Sequence, residues 1–173
     1  MFSNLLLSFK KGFNKRFIIK VSMLSAGSFL AAVTFTSSSY SFGYERQNVV
    51  RCLPQVLWLL DSDIDKQKIT YGSLIKLNGN QYNDHFGDDI SLLKMVIAKD
   101  GDTVTINHDD RTIFVNGSFF GTLPSDKSPF HEGNYTLKDN EIWIAGTSDT
   151  TVDSRYFGPA TLSQIEAHAY AIL

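Results

Sequence analysis

Cys52 and Lys94 are the two side chains whose chemical types would suit nucleophilic catalysis together. Cys52 is the single cysteine among the 173 residues, so it cannot form a disulfide within the chain. It stands in Arg51-Cys52-Leu53-Pro54, where the proline ring stiffens the backbone just after the thiol. Covalent catalysis requires such a nucleophile with an adjacent base. A buried and inert thiol is the alternative that the residues leave open.

Lys94 lies within the apolar run 92–98, and strand alternation would give both faces of this run apolar side chains. The pattern therefore predicts a buried lysine. Burial disfavours the ammonium form, and a lysine in such surroundings can act as a base near neutral pH. A lysine that reaches solvent from an edge strand is the alternative.

The elements that would hold these two residues are mostly β-strands. Short runs rich in Val, Ile, Thr and aromatic residues alternate with turn signals such as Asn78-Gly79 and Asn116-Gly117. The predicted strands are 56–60, 72–77, 92–98, 103–107, 112–115, 118–122 and 141–145. We expect a hairpin over 112–122, a long loop over 124–135, and a short helix over 162–168 that leads into a last strand.

The start of the chain has a different composition. The first twenty residues hold five of the sixteen bases and none of the eighteen acids. Residues 17–35 are apolar apart from Lys20, and a bilayer takes about 20 helical residues to cross. The positive-inside rule then predicts a cytoplasmic tail at 1–16, a transmembrane anchor at 17–36, a linker at 37–43 and an exported globular domain at 44–173. A cleaved signal peptide is the alternative.

Several function classes are disfavoured by composition. The acidic remainder of the chain is a poor partner for a polyanion, so no nucleic acid is expected. No metal is expected either, because the four histidines are scattered and no second cysteine completes a zinc site. The acidic run 84–89 lacks the alternating ligands of a calcium loop. A papain-like pair of Cys52 with His85 stays open.

Three blocks of sequence, in order, resemble a known family. Cys52-Leu53-Pro54-Gln55-Val56-Leu57-Trp58 is similar to a nucleophile block of the form S-x-P, with cysteine for serine. Residues 94–104 (KMVIAKDGDTV) are similar to a lysine block, and residues 153–159 (DSRYFGP) match a closing block. The chain resembles membrane-anchored signal peptidases of the serine-lysine type, most nearly the branch that matures conjugative pilins.

The resemblance implies a mainly β, signal-peptidase/LexA-like catalytic domain behind an N-terminal transmembrane helix. It also implies a set of site residues and no cofactor. Cys52 would be the nucleophile, with its own amide as oxyanion donor, and Lys94 either the base or the partner of a thiolate. The other residues implied are Asp153 as a further catalytic residue, Thr151 orienting the lysine, Asp153 and Arg155 paired around Ser154, and Leu53, Pro54 and Met95 lining a substrate groove.

The function implied is maturation of a pilin precursor at the bacterial inner membrane. The anchor would cross once, with the N-terminus cytoplasmic and the catalytic domain periplasmic. Because a thioester reacts readily with amines, we expect removal of a C-terminal peptide followed by head-to-tail cyclisation. Hydrolytic trimming is one alternative. A non-catalytic scaffold that holds pilin or other secretion-channel proteins is another, since Cys52 replaces serine and Gly146-Thr147-Ser148 replaces the common Gly-Asp-Asn.

Overall fold

The computed structural model describes residues 15–44, 52–79, 91–123, 130–148 and 151–172. The chain divides into two compact units, Met1–Ser38 and Ser39–Leu173. The predicted tail at 1–16 lies almost wholly outside the described residues, as do His85 and the acidic run 84–89.

The first unit contains helix α1, Lys15–Thr36, in which every side chain is exposed. Its 22 residues would span about 33 Å at 1.5 Å per residue, so the helix is long and apolar enough to cross a membrane. Ser25, Ser28 and Thr34 each donate a hydroxyl hydrogen bond to a carbonyl three or four residues earlier. These bonds satisfy the polar side chains within the helix itself, as an apolar environment requires.

The second unit is built from eleven strands within the described residues. They are β1 Tyr40–Tyr44, β2 Leu57–Asp61, β3 Leu74–Asn78, β4 Ser91–Lys99, β5 Thr103–Asn107, β6 Thr112–Val115, β7 Ser118–Thr122, β8 Gly133–Thr136, β9 Glu141–Ala145, β10 Ala160–Thr161 and β11 Ile165–Ala171. Short helical turns occur at Lys66–Lys68, Leu162–Gln164 and α2, Ser154–Phe157. The domain is therefore mainly β, as predicted.

The strands form two antiparallel sheets. One sheet has seven strands in the order β1-β2-β11-β3-β4-β9-β10, and the other has four in the order β7-β6-β5-β8. Strand β4 lies inside the larger sheet, with Lys94 opposite Ile75 on β3 and Met95 opposite Ala145 on β9. Its sequence is an almost unbroken apolar run because its side chains reach different parts of the core: Val96 belongs to one apolar cluster, whereas Leu93 and Met95 pack against another.

Three apolar clusters make up the core of this unit. The cluster nearest to the predicted nucleophile combines the buried side chains of Leu53, Trp58, Leu60, Ala167 and Ala169. Leu93 and Met95 of β4 pack against it. The apolar side chains that flank Lys94 along the strand therefore hold β4 against the segment that follows Cys52.

The predicted strands all occur, with ends shifted by at most two residues. Three predictions about the remaining segments are wrong. Strand β1 occupies most of the expected linker 37–43, because its Tyr-Ser-Phe-Gly-Tyr sequence pairs with β2 along its whole length. Strand β8, Gly133–Thr136, begins within the last three residues of the expected loop 124–135, whose residues 124–129 lie outside the described part of the chain. The expected helix 162–168 is a single turn at Leu162–Gln164, since alternation of apolar and polar residues from Ile165 onward builds β11 instead.

Candidate active site

Cys52 is half-buried and is fastened to the segment that follows β9. Its carbonyl oxygen accepts a hydrogen bond from the backbone N–H of Thr147 at 2.8 Å and another from the Thr147 hydroxyl at 3.3 Å. The next residue, Leu53, is 2% exposed and belongs to the core cluster, whereas Pro54 is exposed. The backbone of the nucleophile block is thus held on both sides of the Cys52 carbonyl.

Gly146 makes this close approach possible. A Cβ atom at position 146 would overlap the Thr151 hydroxyl and would lie 2.7 Å from the Cys52 carbonyl oxygen. Since real Cβ atoms do not come so near to other heavy atoms, only glycine fits here without a shift of one neighbour. The nucleophile block and Thr151, just before the closing block, therefore meet over a glycine that follows β9.

Lys94 is fully buried in the middle of β4, as predicted. Its Nζ atom has no hydrogen-bond partner among the residues that the structure describes. The register of β4 with β9 sets Met95 opposite Ala145, so Lys94 lies beside the end of β9 where Gly146 and Thr147 follow. A buried nitrogen without a partner is costly, and a catalytic role is one of the explanations for such a group.

Asp153 is fully buried, and its carboxylate accepts five hydrogen bonds. The donors are Gly146 N–H at 2.9 Å, Thr151 Oγ1 at 2.8 Å, and the N–H, Nε and Nη2 groups of Arg155 at 3.1, 2.9 and 2.8 Å. The predicted pairing of Asp153 with Arg155 is confirmed. With its lone pairs so fully used, the carboxylate is suited to hold this segment together rather than to exchange protons with a substrate.

Thr151 does not orient Lys94 in this structure, contrary to the prediction. Its hydroxyl has Asp153 Oδ2 at 2.8 Å and the Ser148 carbonyl at 3.0 Å as acceptors, and it receives a bond from Arg155 Nη2 at 2.9 Å. The Lys94 nitrogen is not among its partners. Asp153 is only two residues away from Thr151, and its charged carboxylate is a strong acceptor for the Thr151 hydroxyl.

Ser154 and Arg155 begin α2 and tie it to the surrounding strands. The Ser154 hydroxyl oxygen accepts a hydrogen bond from the backbone N–H of Ile144 on β9, at 2.9 Å. The carbonyl of Arg155 accepts one from the N–H of Phe130 at 2.7 Å. The closing block is therefore hydrogen-bonded to the end of β9 and holds it in place.

The three predicted groove residues differ in how deeply they are buried. Leu53 is wrong as a groove residue, because its side chain is buried in the core among Trp58, Leu60 and their neighbours. Met95 is partly buried and packs on the same cluster, and Pro54 is exposed at the surface. Of the three residues, Pro54 has the exposure that contact with a bound peptide requires.

Asp102 fixes the turn at the end of the lysine block. Its carboxylate accepts hydrogen bonds from Tyr71 Oη at 2.6 Å, Asn116 Nδ2 at 2.7 Å and the Lys99 N–H at 2.8 Å. Burial alone would raise the pKa of Asp102, but these hydrogen bonds outweigh it and hold the pKa below its ordinary value. The hydrogen bond from Tyr71 Oη to Asp102 in turn raises the pKa of Tyr71. This carboxylate joins the turn after β4 to the hairpin of the smaller sheet.

Two residues that the sequence left without a role take part in this site, namely Gly146 and Thr147. The sequence shows them only as a departure from a Gly-Asp-Asn element, and the position of that element before the closing block is the signal that could have found them. Among the described residues no group of three or more His, Cys, Asp or Glu side chains could hold a metal ion.

The chain is similar to known proteins both in sequence and in structure. It is 35% identical over 88 residues to the "Plasmid transfer protein TraF" of Escherichia coli, which is 46% of this chain and 49% of the relative. The chain thus matches about half the length of that curated relative. A crystal structure of a signal peptidase I from Enterococcus faecalis aligns with a TM-score of 0.41 at 17% identity, covering 58% of this chain and 96% of that one.

The family assignment rests on a match along nearly the whole chain. The family model described as "Signal peptidase, peptidase S26" matches residues 16–173, which include α1, the nucleophile block, the lysine block and the closing block. The chain belongs to the signal peptidase family, peptidase S26.

Proposed function

We propose that the protein is a membrane-anchored peptidase that cleaves a C-terminal peptide from a pilin precursor and then joins the pilin head to tail. The observation that carries the proposal is the fully buried Lys94, whose Nζ lacks a hydrogen-bond partner in the described part of the chain. Lys94 lies beside the segment after β9 that is hydrogen-bonded to the Cys52 carbonyl. Membership of a peptidase family and the similarity to a plasmid transfer protein support the same conclusion.

The proposed reaction begins with attack by Cys52 Sγ on the carbonyl carbon of the scissile amide. Lys94 takes the thiol proton, and the backbone N–H of Cys52 donates to the oxyanion that forms. When the tetrahedral adduct collapses, the carbon-nitrogen bond breaks and Lys94 returns the proton to the leaving amine. The pilin is then bound to Cys52 as a thioester.

The second half of the reaction resolves the thioester. The N-terminal amine of the pilin attacks the thioester carbonyl, a new amide bond forms, and the carbon-sulfur bond breaks. The proton of the attacking amine returns to the thiol through Lys94. A thioester favours attack by an amine over attack by water, so cysteine in place of serine suits ring closure better than hydrolysis.

The apolar helix and the similarity to a plasmid transfer protein support a location for this chemistry at a bacterial membrane. Helix α1 would anchor the enzyme in the inner membrane of a bacterium, with the basic residues before it in the cytoplasm and the catalytic domain in the periplasm. The substrate is a pilin of a conjugative type IV secretion system, and other secretion-channel proteins are neighbours of the enzyme. No metal or cofactor takes part.

The test is the intact mass of a candidate conjugative pilin co-expressed with the full-length protein. We expect a processed pilin one water lighter than its linear form, and unprocessed precursor with Cys52→Ala or Lys94→Met. Lys76→Met is the matched control, because Lys76 lies on neighbouring β3, is partly exposed and pairs with Glu166 at the surface. The control enzyme should process the pilin normally.

The other outcomes separate the alternatives. A shortened but linear pilin would replace cyclisation by hydrolytic trimming. Precursor that stays intact with the wild-type enzyme, in cells where Cys52→Ala still supports pilus assembly, would indicate a scaffold instead of an enzyme. Processing that survives Lys94→Met would contradict the assignment of the base.

A further inference from the structure

We propose that Thr147 is a positioning residue for the nucleophile, and that its hydroxyl holds Cys52 in the orientation from which the thiol reaches Lys94. The inference rests on the proposed function, because it assumes that Cys52 and Lys94 act as a pair. It adds a residue that neither the three sequence blocks nor the family match assigns.

The contact that carries the inference is a double one. The Cys52 carbonyl accepts both the N–H of Thr147, at 2.8 Å, and its hydroxyl, at 3.3 Å. The two residues are 95 positions apart in the chain, so the contact is tertiary and does not arise from a local turn. Two donors on one carbonyl fix the plane of the peptide that joins Cys52 to Leu53.

That peptide plane limits where the thiol can lie. The side chain of Leu53 is buried in the core and Pro54 restricts the backbone beyond it, so the chain after Cys52 has little freedom. Holding the Cys52 carbonyl fixes the plane of the Cys52–Leu53 peptide, and the Cys52 Cα atom lies in that plane. The sulfur can then move only by rotation about the two bonds that join this Cα to the carbonyl carbon and to Cβ.

Thr147 also connects the nucleophile to the strand of the base. It follows β9 by two residues, and the last residue of β9, Ala145, is opposite Met95 next to Lys94. A bonded path therefore runs from the strand of Lys94 through β9 and Thr147 to the Cys52 carbonyl. A shift at Thr147 would change the separation of the two reacting groups.

Burial does not explain why the Thr147 hydroxyl makes this contact. Thr147 is exposed, and an exposed hydroxyl can bind water at little cost. Gly146, just before it, is buried and leaves no room for a Cβ atom between Cys52 and Thr151. The glycine brings the two segments together, and the threonine hydroxyl adds the second bond that a Val side chain would lack.

The lone cysteine makes a test possible that does not require peptidase activity. Iodoacetamide labelling of the full-length protein in detergent micelles reports on Cys52 alone, since the chain has one cysteine. Labelling rates are measured for Thr147→Val, which removes the hydroxyl and keeps the shape, and for Thr147→Ser, which keeps the hydroxyl. Thr70→Val is the matched control, because Thr70 is also an exposed threonine and lies outside this site.

The same rates are then measured in a Lys94→Met background. With Lys94 present, Thr147→Val should slow labelling by about two- to tenfold, the range that loss of one net hydrogen bond produces. The labelling rates of Thr147→Ser and Thr70→Val should stay within about twofold of the wild-type rate. In the Lys94→Met background, adding Thr147→Val should also change the labelling rate by less than about twofold. The effect of the hydroxyl thus depends on the lysine.

Three results would overturn the inference. The first is an equal loss for Thr147→Val with and without Lys94, which indicates general loosening of the loop. The second is an unchanged rate for Thr147→Val, and the third is a loss for Thr147→Ser as large as that for Thr147→Val. Pilin processing is measured separately. If the effect of Thr147→Val on the labelling rate depends on Lys94 but no pilin is processed, the proposed substrate is wrong and the inference about Thr147 stands. If pilin is processed but the effect of Thr147→Val does not depend on Lys94, the substrate stands and the inference about Thr147 is wrong.

Discussion

Arg155 grips Asp153 at both carboxylate oxygens, with Nε 2.9 Å from Oδ1 and Nη2 2.8 Å from Oδ2. Both side chains are buried, at 5% and 0% exposure for Arg155 and Asp153. Two parallel bonds from a planar guanidinium make a more specific pairing than a lysine can form. The Asp153 carboxylate also accepts a hydrogen bond from the N–H of Gly146, so this pair fixes the segment 146–147, which is hydrogen-bonded to the Cys52 carbonyl.

Breaking this pair should be costly. Arg155→Ala leaves a buried carboxylate without its counter-charge, and we expect a loss of about 3–5 kcal/mol in the free energy of unfolding. Arg155→Lys should lie between this variant and the wild type, because one ammonium cannot replace both bonds. Urea unfolding of the full-length protein in detergent, followed by the fluorescence of the buried Trp58 and Trp143, measures the loss. A loss below about 1 kcal/mol for Arg155→Ala would place the pair among weak surface interactions.

Gly146→Ala should impair both stability and activity. The added Cβ would press on the Cys52 carbonyl and the Thr151 hydroxyl, and such overpacking costs about 1–3 kcal/mol. Gly121→Ala on β7 is the matched control, since a Cβ there meets nothing within 4 Å. Thermal unfolding and pilin processing of the two variants are compared. Equal behaviour of the two alanines would show that the segments are free to move apart at Gly146.

Lys94→Met should abolish pilin processing without destabilising the fold. A buried amine lacking a hydrogen-bond partner among the described residues costs about 1–3 kcal/mol, and methionine fills similar space without that cost. The free energy of unfolding should therefore stay the same or rise, while Lys76→Met on the neighbouring strand β3 leaves processing intact. Unfolding measurements on both variants test this. A marked loss of stability in Lys94→Met would mean that the lysine nitrogen has a structural partner.

Asp102→Asn should destabilise the protein in a pH-dependent manner. Since the folded pKa of Asp102 is lowered, the carboxylate stabilises the fold above the unfolded value of about 3.9 and loses this effect as the pH falls through the lower folded value. We expect Asp102→Asn to cost about 1–3 kcal/mol near neutral pH, with a difference from the wild type that shrinks in acid. Urea unfolding at neutral pH and near pH 3 measures both, and a pH-independent difference would contradict the assignment.

The site of this protein could be inferred from the sequence only in part. Burial of Lys94 was predictable because both faces of its strand carry apolar residues, and the pairing of Asp153 with Arg155 followed from a resemblance in a compact block. The hydrogen bond expected from Thr151 to Lys94 was not predictable in this way. A hydroxyl has several acceptors within reach, and local sequence does not decide which of them it meets.

Local patterning by itself determined the apolar helix, the seven main strands and the types of the reactive residues, because periodicity and side-chain chemistry are properties of short segments. Only the tertiary structure decided that β1 is a strand, that Leu53 belongs to the core, and that Thr147 holds Cys52 from 95 residues away. These features depend on which segments become neighbours after folding. The pairing of β1 with β2, the burial of a leucine and a long-range hydrogen bond each depend on a partner that the local sequence does not contain.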